Sequence, residues 1–385
     1  MTRLPLPNPR LVTFSQNVLS IIWTSLIASF FIFSLGFAQT SQLPTSETSK
    51  ASQSTSFFQK FQVDSLQTTL GASGDSMESA NVKARIFSTD LGLKLRDEIY
   101  PNVSVQGWIL GNFETGTNQA AGTLLPEYEP NQAINLIEGY VSWVPAEWAK
   151  LSFGSHWQND YNSPLLVWNT PFLSARQKIM KNGFYFQAQQ AIPNNNILAR
   201  RLGNVEQGTA TYFIETLGYE TQQSDYQVHF QLSHFSFQEL SAETARVSGT
   251  FGNSVVGAGE ASRFLYNFRG TNFSAQTKFY IYESWFASVN GQYLFNDQAP
   301  DGRNEGRLID LGIGKDIWAF RFGHFRNESD TAPGFYNARM YNHNNMEGTM
   351  LSVTSQNVDT QFRLSLITGK PISDNLLQNK FTLVN

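Results

Sequence analysis

The chain has 385 residues, a formal charge of −4 and no cysteine. The missing cysteine excludes disulfides and thiolate metal sites, and a mildly acidic chain without a basic stripe excludes nucleic acid as a partner. It carries 31 Phe, 14 Tyr and 8 Trp, yet after residue 38 no apolar run is long enough to cross a bilayer as a helix. A membrane β-barrel has that composition, because its lumen-facing polar residues dilute its lipid-facing ones.

The chain opens with Arg3 and Arg10, then an apolar run from Val18 to Phe37, with Gly36 and Ala38 at the minus-three and minus-one positions of a cut before Gln39. Residues 1–38 therefore read as an export signal. The competing reading is a spanning anchor, since the run approaches the ~20 residues that a bilayer requires. Position at the extreme N-terminus and a Ser/Thr-rich sequel favour cleavage, and removing two arginines from −4 leaves −6 on the mature chain. Residues 39–56, QTSQLPTSETSKASQSTS, are polar and of low complexity, and are expected to form a disordered periplasmic tether.

From Phe57 onward, alternating segments are joined by two kinds of connection. Short ones fall at 97–102, 144–148, 221–225, 282–285, 314–316 and 356–359. Long ones, rich in Gly, Asn, Pro and Asp, fall at 71–79, 115–131, 159–208, 239–262, 296–306, 327–345 and 367–375. Short periplasmic turns alternating with long outer loops predict an all-β fold over 57–385, a closed antiparallel transmembrane β-barrel of about 14 strands, range about 12 to 18. GFYFQAQQA (183–191), paired with part of 160–175, would raise the count to about sixteen. A soluble sandwich or jelly roll predicts loops of similar length at both ends.

In YQVHFQLSHFSFQ (226–238), Tyr226, Val228, Phe230 and Leu232 share one face, and Gln227, His229, Gln231 and Ser233 the other. If the apolar set meets lipid, the polar set lines a wet lumen. Candidate lumen residues are Lys83, Arg85, Lys94, Arg96, Lys150, Lys278, Arg321, Arg363 and Lys380, against Glu114, Glu138, Glu215 and Asp310. A basic excess favours anions by direct attraction. Cross-strand pairing that sets no selectivity is the alternative. Trp108, Trp143, Trp148, Trp157, Trp285 and Trp318 lie near strand ends and read as interfacial girdle residues. The segment 159–208 is too long for a turn. Folded into the bore, it would set Arg176, Lys178, Arg200 and Arg201 at a constriction, whereas facing outward it would be an ordinary outer loop.

His234 and Ser236 stand two apart on one strand face, the spacing of an outer-membrane phospholipase pair, with Asn267 as a third member. Nothing fixes Asn267 opposite His234, and the chain is read as non-enzymatic. His156, His229, His324 and His343 show no paired metal spacing, the Asp/Asn cluster at 295–305 lacks calcium-loop order, and no glycine-rich phosphate cradle exists, so neither metal nor cofactor is expected.

With these features in place, the chain resembles Gram-negative outer-membrane porins. FQAQQAIP (186–193), SHFSFQEL (233–240) and LFNDQAPDGRNEGRLIDLG (294–312) look most like porin-like proteins of predatory Gram-negative bacteria. The resemblance implies a passive channel for small hydrophilic solutes in the cell outer membrane. Its partners would be outer-membrane lipids, lipopolysaccharide, the barrel-insertion machinery and further copies of itself. A structural or adhesive wall protein, with a plugged lumen or in a larger ring, is the alternative. Porins usually finish on a terminal aromatic, whereas this chain ends LVN with Phe381 four residues earlier.

Overall fold

Alternation of apolar and polar side chains in this chain serves to turn a protein inside out. The computed structural model describes residues 62–77, 82–118, 132–158, 163–193, 208–282, 284–356, 361–375, 378 and 380–384. All lie in the compact unit Phe57–Asn385. The expected export signal (1–38) and tether (39–56) fall outside the described residues.

Nine strands come first: β1 (Gln62–Met77), β2 (Val82–Tyr100), β3 (Val103–Asn118), β4 (Gln132–Ala146), β5 (Ala149–Trp157), β6 (Pro171–Lys181), β7 (Phe184–Pro193), β8 (Thr211–Gln222) and β9 (Tyr226–Gln238). After a helical insertion, seven more follow: β12 (Phe268–Tyr282), β13 (Trp285–Asn296), β14 (Glu305–Lys315), β15 (Trp318–Asn327), β16 (Met346–Gln356), β17 (Gln361–Pro371) and β18 (Phe381–Val384). Each pairs antiparallel with its neighbours, and β1 pairs with both β2 and β18, so the sheet closes into a barrel. The four-residue β18 spans Gly74–Met77 of β1 and Leu366–Gly369 of β17.

Among the described residues the barrel has sixteen strands, where the connection pattern gives about fourteen. The extra pair, β6 and β7, comes from the segment expected to be one long loop. They are joined by Asn182 and Gly183, both in the left-handed region at φ 53° and 83°. An Asn-Gly pair with positive φ at both positions matches the right-handed twist of its flanking strands. A Cβ on Gly183 would meet the Glu220 carbonyl oxygen at 2.6 Å, so glycine is required for space as well as for φ. The expected loop at 71–79 is also corrected, because β1 runs through these small residues to Met77.

Outward positions form an apolar belt. On β9, Phe230 and Leu232 are 42% and 52% exposed, and the positions beside Leu232 are Leu217 and Phe273, also exposed. Inward positions between them are buried and polar: Gln231, Ser233, Asn272, Ser274, Asn290 and Gln292. The short-turn end carries Trp143, Trp148, Trp285 and Trp318 at or beside turns. Trp108 departs from the girdle expectation. It stands mid-strand and points inward, under the ammonium of Lys94 and edge-on to Trp157.

At the long-loop end, three connections come together, 163–170, 239–267 and 328–345, of which the first and third carry the buried apolar residues. The second holds α1 (Ala242–Thr250), capped by the Ser241 hydroxyl on the Thr244 N–H, and a small hairpin of β10 (Val255–Val256) and β11 (Arg263–Phe264).

Candidate functional site in the barrel lumen

The lumen has two halves of opposite character. At the long-loop end it is filled by an apolar cluster. Leu165, Leu166 and Val167 descend from the β5–β6 connection and Tyr336, Ala338 and Tyr341 from the β15–β16 connection. They pack on Phe172, Ile214, Phe235, Phe325, Met346 and Ile367 of the wall. Tyr336 stands edge-on to Phe172 at 5.3 Å and stacks on Phe237 at 5.9 Å. Apolar burial of this kind stabilises by about 1.5–3 kcal/mol per large side chain.

Polar anchors fix the inserted segments. Asn272 Nδ2 donates to Ser163 Oγ at 2.8 Å, and the Leu165 N–H donates to Gln292 Oε1 at 3.0 Å. The two inserted loops also bond to each other, Trp168 N–H to the Tyr336 carbonyl and Ala338 N–H to the Pro164 carbonyl, both at 2.8 Å. Asn253 receives Gly334 N–H at 2.7 Å and donates to the Ser329 and Ala332 carbonyls, tying the helical insertion to the plug. Burial lifts the Tyr336 phenol well above the usual tyrosine range, against a smaller lowering by its hydrogen bond with Thr244. Burial likewise pushes the Tyr341 phenol up to about 12, Asp310 adding to the rise and Arg363 and Arg321 opposing it. Both phenols stay neutral through the physiological range.

The inserted stretch is therefore apolar, which corrects the expectation of a basic constriction. Arg176 and Lys178 lie on β6, in the wall. Arg200 and Arg201 lie outside the described residues.

Among the described residues, β2 to β5 contribute nothing to the apolar cluster. Trp108 apart, the inward side chains described there make polar contacts. Asn112 Nδ2 donates to Asp90 Oδ1 at 2.6 Å, the Tyr140 hydroxyl donates to Gln106 Oε1 at 2.6 Å, and the Ser104 and Ser142 hydroxyls meet at 2.8 Å. His156 is 2% exposed, its ring nitrogens within 2.8 Å of Ser174 Oγ and 2.9 Å of Ser152 Oγ, and stacks on Tyr140 at 4.5 Å. Glu138 accepts the Trp157 N–H at 3.0 Å.

The short-turn half is open and charged. A cavity of about 360 Å³ is lined by Lys150, Arg176, Lys178, Tyr185, Glu220 and His229 among others. Another of about 710 Å³ is lined by Lys278, Arg321, Gln276, Asn290 and Thr354 among others. Lys178 Nζ lies 3.5 Å from Glu220 Oε1 and 4.4 Å over the Tyr185 ring. The Tyr185 hydroxyl contacts His229 Nε2 at 2.8 Å and Gln231 Oε1 at 2.9 Å. Arg321 is paired with Asp310 at 3.1 Å, and Lys278 sits over Phe286 at 4.0 Å.

The remaining candidates fall as follows. Arg96 occupies the inward register of β2, opposite Gln106. Arg363 Nε donates to Ser365 Oγ at 2.9 Å. Lys83 and Arg85 lie on β2 opposite Ser76 and Gly74. Lys380 is exposed in the connection before β18, outside the strand wall. Glu215 faces outward, opposite His234, which corrects its assignment to the bore. Glu220, which the sequence reading left out, takes part instead. It has the inward parity of β8, two register steps beyond Gly218, and period-two counting from Thr216 would have found it.

The hydrolase constellation does not assemble. His234 is opposite Thr271 on β12, and Asn267 precedes that strand, its carbonyl accepting Asn296 Nδ2. The Ser236 hydroxyl contacts Gln238 Nε2 at 3.4 Å. Among the described residues, no group of three or more His, Asp or Glu is placed to hold a metal ion.

No family model matches the sequence, and no curated protein matches it. Solved structures do. The high-pH structure of Pseudomonas putida OprB superposes with a TM-score of 0.54 at 12% identity, over 83% of this chain and 92% of that one. A loop-L8 deletion of OmpT, an outer-membrane protein of Vibrio cholerae, gives 0.48 at 11% identity over 84% and 98%. Salmonella typhi OmpF in complex with daunomycin gives 0.46 at 10% over 83% and 96%. At these identities the likeness to OprB speaks for the fold, a porin-type barrel.

Proposed function

We propose that the chain is an outer-membrane porin, passing small hydrophilic solutes by diffusion with a preference for anions. One observation carries this reading: among the described residues the apolar plug draws on β6 to β18 and on nothing from β2 to β5, whose inward side chains form a run of polar contacts instead. A polar strip beside an apolar insertion is a route for hydrated solutes. An apolar belt on the outside of the same strands supports a membrane setting, since a charge at mid-bilayer costs about 2–4 kcal/mol. The porin-type fold supports the outer membrane as that setting, with the short turns periplasmic and the long loops outside.

Anion preference is supported by the inward charge. Lys94, Arg96, Lys150, Arg176, Lys178, Lys278, Arg321 and Arg363 have inward register, against Asp90, Glu138, Glu220 and Asp310. Lumenal cations raise the local anion concentration. Lipid, lipopolysaccharide and the barrel-insertion machinery are the partners such a protein meets, and assembly with further copies is part of the proposal.

A second reading is favoured by the plug itself. With ten strands and two inserted loops joined in one apolar cluster, the lumen could serve as a closed scaffold for a structural or adhesive wall protein. Reconstitution in a planar bilayer separates the two. Stable current steps with an anion-biased reversal potential support the channel, and silence from folded protein supports the scaffold.

A further inference from the structure

We infer that the outward face of β6 to β8, with His234 of β9 at its edge, is the surface through which two copies of this chain associate in the membrane. The inference rests on the porin reading above and deepens it, because it gives assembly with further copies a place on the wall.

Register shows how this face departs from the rest of the belt. Across β13 to β17, one cross-strand row of outward residues reads Val289, Leu311, Phe322, Leu351 and Leu366. Each of these is a large, exposed apolar side chain. Across β6 to β12, a row of the same kind reads Gln177, Ala188, Glu215, His234 and Thr271. In the next row Ala175 is opposite Gln190. A carboxylate and an imidazole therefore stand directly opposite each other on the outside of the barrel, both exposed, beside two exposed amides.

This patch lies within the belt and not at its rim. Apolar outward residues flank it along each strand, Leu173 and Ile179 on β6, Phe186 and Ile192 on β7, and Phe213 and Leu217 on β8. Ionisable and amide groups facing hydrocarbon are costly and mark a functional surface. The outward charges of the outer rim are neutralised within the chain, Arg326 and Lys370 by Glu347, and Arg307 by Glu305. Among the described residues, the side chains of Gln177, Gln190, Glu215 and His234 make no hydrogen bond or ion pair.

The chemistry of the patch selects its occupant. A lipid tail offers neither donor nor acceptor, whereas a second copy offers both. Apposed about a two-fold axis along the membrane normal, the same patch meets itself, so that the carboxylate of each copy faces amide and imidazole N–H donors of the other. Ala175 and Ala188 at its centre leave room for the two walls to approach, as small residues do where membrane elements pack. Leu232 and Phe273 lie beyond its short-turn edge and keep their lipid contact.

The full chain has no cysteine, so one introduced thiol reports on one position. The test is oxidative cross-linking in phospholipid vesicles of Ala188→Cys, of Leu351→Cys as a control on the apolar row, and of Ala188→Cys combined with Glu215→Leu. Heat-dependent gel mobility verifies that each barrel is folded. The inference predicts a disulfide-linked dimer from Ala188→Cys and far less from Leu351→Cys. Adding Glu215→Leu should raise the protein-to-lipid ratio needed for cross-linking by about tenfold. Equal cross-linking at the two positions, or none at Ala188→Cys, would overturn it, as would indifference to Glu215→Leu. Ala188→Cys captured by a different polypeptide in whole outer membranes would overturn the choice of a second copy. Anion-biased current from a chain that fails to cross-link overturns the interface alone, whereas a cation-biased reversal potential from a cross-linked dimer overturns the porin reading beneath it.

Discussion

Replacing Leu232 by Arg tests which face of the sheet meets hydrocarbon. Leu232 lies near the middle of β9, half exposed at 52%, between Leu217 on β8 and Phe273 on β12. On a water-soluble protein, such an exposed Leu→Arg change would fall within about 0.5 kcal/mol of neutral. In a bilayer the arginine must sit near the midplane or drag water inward, at about 2–4 kcal/mol. That corresponds to roughly a 30- to 900-fold loss in the folding equilibrium constant. The paired control is Gln276→Arg, an inward position lining the cavity of about 710 Å³, where water is at hand. The assay is urea unfolding in phospholipid vesicles, followed by tryptophan fluorescence. Leu232→Arg should lower stability by about 2–4 kcal/mol and Gln276→Arg by under about 0.5. Equal costs at the two positions, or none at Leu232, would refute the assignment of faces.

Tyr336→Ala should remove the centre of the plug, destabilising the barrel by about 3–5 kcal/mol as other buried aromatic truncations do, and raising single-channel conductance. Unchanged conductance would count against the plug as an obstacle. Because the Tyr341 phenol is raised to about 12 in the fold and unfolds to an ordinary value near ~10, its contribution is intact below pH ~10 and lost as pH rises through about 12. Protease cleavage of the 328–345 connection should therefore increase over that window, and Tyr341→Phe should flatten the increase. Gly183→Ala should cost about 1–2 kcal/mol through the left-handed conformation alone, with slower refolding by gel mobility, and a wild-type rate would argue against the tight turn. Deleting 163–168 should enlarge conductance while the strands stay paired, which circular dichroism can verify.

The sequence made the wall legible and the interior only in part. Alternation placed Phe230 and Leu232 outside and Gln231 and Ser233 inside, as burial shows, because one side met apolar surroundings and the other polar groups. At Phe235 and Phe237 the inward residues are apolar too, since they face the inserted loops instead of water. A strand with an apolar outer face and the plug on its inner one loses its binary pattern, so the plug could not be read from period two. β6 was hidden for a related reason. Its outward row, Leu173, Ala175, Gln177 and Ile179, is weakly apolar, and its inward row carries the basic residues that read as a loop. The Asn182–Gly183 turn was the available signal. Trp108 was misplaced because a girdle tryptophan and a lumen tryptophan look alike until the register with Lys94 is fixed. Glu215 went astray by a single position, enough to move a side chain from one face of a sheet to the other.

The proposal that solutes pass beside the plug is tested most directly by single-channel recording of the reconstituted chain across a tenfold salt gradient. The account predicts discrete steps and a reversal potential displaced toward the anion's equilibrium value. Folded protein that never conducts, or a reversal potential displaced toward the cation's, would contradict it.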